Sequence, residues 1–263
     1  MVLHSGKPKH MQAIILAAGR GNRLADFNPD GRPKCLLEFG GKSLLARQLD
    51  CVFRLGVHQV TLVVGYEADM ILEHVATLDS RPEVAYVYNP AYTSGSVLSL
   101  LAAQNVLRGD EPFLVLDADV LFHPKILQIL VESTHENCYL IDRNFVPGDE
   151  PVKIALINGR MVEFRKQLKD GLEYDTLGES VGYFKFAGAM AKEIADTCAD
   201  YRADGLMDAP HEEALRDVLL KHPEQFACED VSGLPWLEVD FPEDIERAIK
   251  DILPAIRNEI PDF

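Results

Sequence analysis

Segments that read as strands and segments that read as helices alternate through the first half of this chain, and that rhythm leaves few folds open. Residues 12–16, 59–64, 84–88 and 113–116 are short apolar runs of strand length. Between and behind them, 43–55, 67–78, 96–107 and 124–132 carry helical periodicity; in 43–55 the apolar face is Leu44, Leu45, Leu49, Val52 and Phe53. Strands joined by crossover helices predict a three-layer α/β/α, Rossmann-like fold, with a mixed, mostly parallel central sheet covered on both faces. After residue 136 the rhythm changes. Residues 137–142 and 153–157 read as strands, Asn158-Gly159 as a hairpin turn into 161–165, and 181–186 as a further strand. Helices are expected over 187–203 and 211–220, the second started by Pro210, then a short strand over 236–239 and a last long helix begun by Pro242. At 263 residues, with no linker, low-complexity run or internal repeat, the chain reads as one domain, 1–263, with a leader over 1–11 and halves over 12–136 and 137–263.

The first strand stops abruptly at Ala17-Ala18-Gly19, and a loop of small residues then delivers Arg20, Arg23, Arg32 and Lys34. Small residues let a backbone approach a ligand, glycine permits positive φ, and successive N–H groups can then face an anion. The cations add charge-assisted bonds to phosphate oxygens. Leu16, Ala17, Ala18, Gly19, Arg20, Gly21, Asn22, Arg23 and Lys34 are therefore candidates for holding a nucleoside triphosphate. Two better-known phosphate loops fail here. Leu24 stands where a dinucleotide fingerprint needs its third glycine. Gly41-Lys42-Ser43 resembles the end of a P-loop, but Leu36 occupies the place of its first glycine.

A net charge of −16 argues against nucleic acid or an acidic membrane as a partner, and cations gathered in so acidic a chain need a local reason. No apolar run is long enough to span a membrane. The five cysteines are odd in number and hold no C-x-x-C pair, which favours reduced thiols in the cytoplasm over a disulfide frame or zinc site. Cys35, beside Lys34, reads either as a low-titrating thiol or, more simply, as a small packing residue.

Asp117 and Asp119 end the most apolar strand of the first half, where ligands of open α/β sheets bind. Two carboxylates there are costly unless a cation neutralises them, and Mg²⁺ suits carboxylate, phosphate and water oxygens. Asp240 closes the stretch Glu238-Val239-Asp240 before Pro242, where it suits a helix cap and still keeps lone pairs free for a metal. Gly95 and Ser96 follow a turn-rich passage from Asn89, with Ser96 equally suited to capping the next helix. Lys153, Arg165, Lys166 and Lys169 surround the hairpin and read either as an anion site or as a solvated sheet edge.

The passage from Leu16 to Lys34, with the later motifs in order, resembles the nucleotidyltransferases that join a nucleoside triphosphate to a phosphorylated acceptor and release pyrophosphate. The resemblance covers nearly the whole chain. It implies the nucleotidyltransferase fold, with a nucleotide-binding half over 12–136 and an acceptor-binding half over 137–263. It makes Asp119 and Asp240 the Mg²⁺ ligands, with Asp117 a nearby nucleotide-side residue. It puts Gly95 and Ser96 beside the nucleobase, with the strand end Val63-Val64-Gly65-Tyr66 lining the same pocket. It makes Arg23, Lys34 and Lys166 the catalytic cations, Lys166 toward the acceptor.

Leu140-Ile141-Asp142-Arg143 and the stretch from Gly233 to Glu238 look like the phosphocholine, inositol-phosphate and aminoethylphosphonate cytidylyltransferases. Asp142, Glu179, Gly182 and Trp236 are then acceptor-side residues, and Tyr174 and Tyr183 could offer aromatic faces to a quaternary ammonium. The implied reaction is attack of the acceptor's anionic oxygen on the α-phosphorus of CTP, with no general base required. The implied partners are CTP or another NTP and a small phosphorylated acceptor, and a homodimer stays open. The rival readings are a sugar-1-phosphate nucleotidylyltransferase using UTP, dTTP or GTP, a D-x-D glycosyltransferase, and a non-catalytic nucleotide-sensing subunit.

Overall fold

Alternation along β1 (Gln12–Ala17) decides how the layers form, because Ala13 and Ile15 face one way and Ile14 the other, and all three are fully buried. The computed structural model describes residues 11–27, 30–79, 81–107, 109–261 and 263; the leader expected over 1–11 lies outside these, apart from Met11. The first-half elements are β2 (Glu38–Phe39), β3 (Lys42–Ser43), α1 (Leu44–Arg54), β4 (Gln59–Val64), α2 (Ala68–Ala76), β5 (Glu83–Tyr88), α3 (Ser96–Ala102), β6 (Phe113–Asp117), β7 (Val120–Phe122) and α4 (Pro124–Glu132). The second half holds β8 (Asn137–Asp142), β9 (Lys153–Ile157), β10 (Arg160–Arg165), β11 (Thr176–Phe186), α5 (Gly188–Ala203), α6 (His211–Lys221), β12 (Phe226–Asp230), β13 (Trp236–Glu238), α7 (Pro242–Arg247) and α8 (Leu253–Glu259).

Among the described residues the main sheet has nine strands, with a central path β10-β9-β11-β6-β1-β4-β5. Its first-half strands β6, β1, β4 and β5 are all parallel. β11 then pairs antiparallel with β6, β8 and β9, so one continuous sheet joins the two halves. Apolar residues of α1, α2 and α4 cover the face that carries Ala13 and Ile15. Those of α3, α5 and α6 cover the face that carries Ile14. Each Leu or Ile fully buried this way is worth roughly 1.5–3 kcal/mol. No described helix is long and apolar enough to cross a membrane.

Several expectations shift in detail. β12 occupies a stretch where no strand was predicted; it pairs only with β8 and lacks the alternating burial that marks a strand in sequence. The last helix is not continuous. A π-helical turn over Ala248–Ile252 separates α7 from α8, because Pro254 lacks an N–H and its ring crowds the carbonyl four residues back. α3 ends at Ala102 and closes in shorter-range bonds from Ala103 and Gln104. Asn158 and Gly159 both take positive φ, as their hairpin turn requires.

One small ladder positions the chemistry. β7 and β13 pair antiparallel, with Glu238 opposite Val120, and the Val239 N–H donates to the Asp119 carbonyl. Leu121, Leu237 and Val239 bury into a third apolar cluster with Ala248, Leu253 and Ile256. Residues 120 apart in sequence are thereby clamped side by side.

Candidate active site

At the carboxyl ends of β1 and β6 the backbone opens into a cleft of about 250 Å³. Leu16, Ala17, Ala18 and Gly19 form one wall, Ser94 and Ser96 another, and Asp117, Asp119 and Glu238 the acidic floor. Lys34 reaches into it. Its ammonium lies 2.6 Å from Asp119 Oδ2 and donates to Asp240 Oδ1 at 2.5 Å. Burial works against that charge, but Asp119 and Asp240 more than offset it, so Lys34 titrates above the usual lysine range. Its stem is accommodated because residue 21 is glycine at φ 65; a Cβ there would stand 2.5 Å from Lys34 Cγ.

Arg23 donates to the other oxygen of Asp240 at 3.2 Å and to Glu150 at 3.3 Å, with its guanidinium 4.8 Å from the Phe241 ring centre. Lys166, which lines the cleft, donates to the same Glu150 oxygen at 3.2 Å. Of the cations singled out in sequence, Arg23, Lys34 and Lys166 thus join one network through Asp240 and Glu150. Asp240 does not cap the following helix. Asp244 takes that part, accepting from the N–H groups of Asp240 and Phe241 and leaving the Asp240 carboxylate for the cleft.

Asp119, Glu238 and Asp240 bring carboxylate oxygens within 4.8 Å of one another. Glu238 keeps solvent exposure as a residue, but crowding of its carboxyl in the cleft, then the charges of Asp119 and Asp240, hold it well above its usual range. Asp117 is raised in the same way by burial and by Glu212 and Asp119. So many carboxylates around one ammonium form a hard-oxygen set with charge to spare, which fits a divalent cation. Glu238 was missed as a ligand in sequence, although its spacing from Asp240 places both on one side of extended chain. His211 and Glu212, opposite Asp117, carried no recognisable pattern.

Other sequence candidates take different places. Gly95, not Ser96, is the N-cap position of α3, and no side chain caps it. A Cβ on Gly95 would strike the backbone of Asp208 and Ala209, so packing against the loop before α6 requires glycine there. Ser96 lines the cleft and accepts from the His211 N–H at 2.9 Å. Gly182 adopts φ 77 and makes room for the Asp117 carboxylate. Arg20 lies over the Tyr66 ring at 5.6 Å, and Arg20, Gly21 and Asn22 are not among the residues lining the cleft. The 63–66 strand end packs behind the loop instead of lining it, with Tyr66 N–H on the Ala18 carbonyl. Cys35 is buried and its thiol is pushed up to about 12, which is packing behaviour.

A second cleft of about 330 Å³ lies on the far side of Glu238 and Asp240. It gathers three of the four acceptor candidates: Asp142, Glu179 and Trp236. The Trp236 indole donates to Asp142 at 2.8 Å, and the Asn144 N–H donates to the same carboxylate. Burial, then Asp142, pushes Glu179 up to about 7. Phe145 and Phe241 supply further ring faces. Tyr183 does not reach this cleft; it is fully buried, and its hydroxyl accepts from Gln48, which also donates to the Asp117 carbonyl. Tyr174 lies outside the lining. Of the basic cluster, Lys153 is spent on backbone carbonyls and Arg165 on Glu213.

Residues 13–178 match the MobA-like NTP transferase domain. Over 92% of its length the chain is 29% identical to the bifunctional IPC transferase and DIPP synthase of Rubrobacter xylanophilus, and it spans 52% of that protein. With the CTP:phosphoglutamine cytidylyltransferase of Campylobacter jejuni it shares 22% identity over 91% of this chain and 100% of the relative. The solved inositol-1-phosphate CTP transferase from T. maritima superposes with a TM-score of 0.73 at 20% identity, covering 96% of this chain and 98% of that one.

Proposed function

The chain belongs to the MobA-like NTP transferase domain family, and from that premise we propose that it is a cytidylyltransferase, moving CMP from CTP to a small phosphorylated or phosphonate acceptor and releasing pyrophosphate. The observation that carries this reading is the shared wall. Glu238 borders both a cleft floored by the strand-end aspartates and a cleft of carboxylates and aromatic rings, and Asp240 in the second cleft pairs with Lys34 in the first, so two substrates can meet there. Relatives named for CTP chemistry on phospho-compounds support the nucleotide.

The chemistry asks little of an acid or base. An acceptor phosphate is already anionic near neutral pH, since its second pKa is about 6. The difficulty is to bring two polyanions together, and positioning plus positive charge solves it. In this reading Ala17, Ala18 and Gly19 give the triphosphate close backbone approach, and Lys34 and Arg23 take its oxygens. Lys166 receives the acceptor's anionic end. Asp119, Asp240 and Glu238 would hold Mg²⁺, which supplies neutralisation of charge on phosphate oxygens. The acceptor's other end would enter the second cleft, whose carboxylates and Trp236 suit an ammonium group such as that of phosphocholine. We place the enzyme in the cytoplasm, in keeping with its unpaired cysteines.

The test is a matrix of CTP, UTP, dTTP and GTP against phosphocholine, aminoethylphosphonate, inositol phosphate, glycerol phosphate and hexose 1-phosphates, read by pyrophosphate release. Release with CTP and an ammonium-bearing acceptor is expected. Activity confined to UTP or dTTP with hexose phosphates would make it a sugar nucleotidylyltransferase. Silence across the matrix would leave a nucleotide-binding subunit without catalysis.

A further inference from the structure

Beneath the strand-end aspartates lies a second group of possible ligands that the proposed transfer does not use. His211 opens α6 and is 2% exposed, yet its Nε2 has no hydrogen-bond partner among the described residues. Glu212 Oε2 is likewise buried without one. Nε2 faces Asp117 Oδ1 at 3.8 Å, too long for a hydrogen bond. Nδ1 of the same ring lies 3.0 Å from Ser96 Oγ and 3.1 Å from Glu212 Oε2. A bare Nδ1 lone pair beside that carboxylate would be repelled, so the proton belongs on Nδ1, which leaves the Nε2 lone pair aimed at Asp117. An oriented imidazole with its far nitrogen hydrogen-bonded is how metal-ligating histidines are held.

We propose that Asp117, His211 and Glu212 form a second divalent-cation site, separate from the one at Asp119, Glu238 and Asp240. Ligand atoms of the three residues lie within 4.8 Å of one another, and 3.8 Å is what two bonds of about 2.1 Å span when they meet at an obtuse angle. One imidazole nitrogen with two carboxylates is a softer set than the all-oxygen group beside it. It selects a first-row transition ion such as Mn²⁺, Co²⁺ or Zn²⁺ over Mg²⁺. The positive end of α6 opposes a cation here, but its effect is about half a charge, and two carboxylates outweigh it. Three protein ligands leave coordination positions open, and all three residues line the nucleotide cleft. The rival occupant of the gap is a proton on Nε2, which would make His211 an imidazolium paired with Asp117.

The experiment is Co²⁺ titration of the full chain without nucleotide, followed by visible absorption and calorimetry, on the wild type and on H211Q, E212Q and D240N. The proposal expects a visible Co²⁺ band with imidazole ligation, weakened at least tenfold in affinity by H211Q and E212Q and retained in D240N. Circular dichroism checks that the variants fold. Should H211Q unfold, E212Q carries the test alone, because that side chain sits on the first turn of α6 and no hydrogen bond to its Oε2 is lost. Unchanged affinity and spectrum in a folded H211Q or E212Q overturn the site. So does a wild type whose only bound ion is the one lost in D240N. Because the readout is metal binding, failure of the cytidylyl-transfer reading would leave this result standing, and the reverse holds too.

Discussion

The two clefts share Glu238, with Asp240 in the second paired to Lys34 in the first, yet are built on different electrostatic plans. In the first, Lys34 and Arg23 already grip the two oxygens of Asp240, and further carboxylates crowd the floor. That arrangement is an ion network, ready to exchange partners when a polyanion and a cation arrive together. In the second, Asp142 is fixed by an indole and a backbone N–H, and Glu179 stands close enough to feel its charge, with Arg247 and Lys153 only partly offsetting it. If the proposed reaction holds, transfer and acceptor discrimination would rest on separable residues. The first cleft would serve any triphosphate and any anionic attacker. In the proposed reaction the second would decide what that attacker is attached to.

The comparison breaks most sharply at the two aspartates that Lys34 bridges between the clefts. Replacing Asp119 or Asp240 by Ala should lower kcat about 10³-fold with every acceptor, the scale of losing a principal electrostatic stabiliser. Stability should move by about 1 kcal/mol or less, since both side chains keep partial solvent access and their ion pairs are screened. Pyrophosphate release and thermal unfolding measure the two. Near-normal turnover at saturating Mg²⁺ would detach both aspartates from the chemistry. A smaller effect is expected from Lys34→Met. kcat/KM for CTP should fall about 100-fold. Mn²⁺ binding at Asp119 and Asp240 should tighten, because the ammonium between them no longer competes. An unchanged Mn²⁺ affinity would mean that Nζ and the ion occupy different places.

Much of the first cleft was legible because its parts are local. A strand that ends in small residues, a basic loop and a D-x-D at the end of the most apolar strand are each readable within a few positions. Asp240 was legible only through its spacing from Pro242, and its role was decided by Asp244, which took over the cap. What stayed hidden depends on tertiary contact. Gly95 and Gly182 both looked like ligand-approach glycines; one makes room for the loop before α6, the other for Asp117. Ser96 looked like a cap and instead holds His211. Nothing near His211 in sequence announces that α6 will be carried to the end of β6, because that depends on helix packing across the sheet. The same limit hid β12, an edge strand without alternation.

The second cleft offers a finer test. Glu179→Gln should raise KM for an ammonium-bearing acceptor about tenfold, the worth of one charge-assisted bond, while leaving a polyol phosphate nearly unaffected. With Glu179 pushed up to about 7, its negative charge appears only as pH rises through that value. KM for the cationic acceptor should therefore fall between pH 6 and 8 in the wild type, and E179Q should lose that part of the profile. The stability sign is opposite. A carboxyl whose folded pKa lies above its ordinary value of 4.5 favours folding below that value and loses this contribution as pH rises through about 7. The urea midpoint of the wild type relative to E179Q should then drop from pH 4 to pH 8. A parallel pair of profiles would place Glu179 outside acceptor recognition.

The smallest effect separates a turn glycine from a site glycine. Gly159 and Gly182 share φ 77, but a Cβ on Gly159 meets open space, whereas one on Gly182 meets the Asp117 carboxylate. Gly159→Ala should cost about 1 kcal/mol, the backbone strain alone, with no change in turnover. Gly182→Ala should cost about 2–3 kcal/mol, because Asp117 or β11 must also shift. It should lower kcat as well, since Asp117 is held from behind by Gln48 on its carbonyl and cannot retreat freely. Urea unfolding and pyrophosphate release on the two variants give the comparison directly. Equal costs and equal turnover would reduce Gly182 to a bend in β11 and free Asp117 from the strand that faces it.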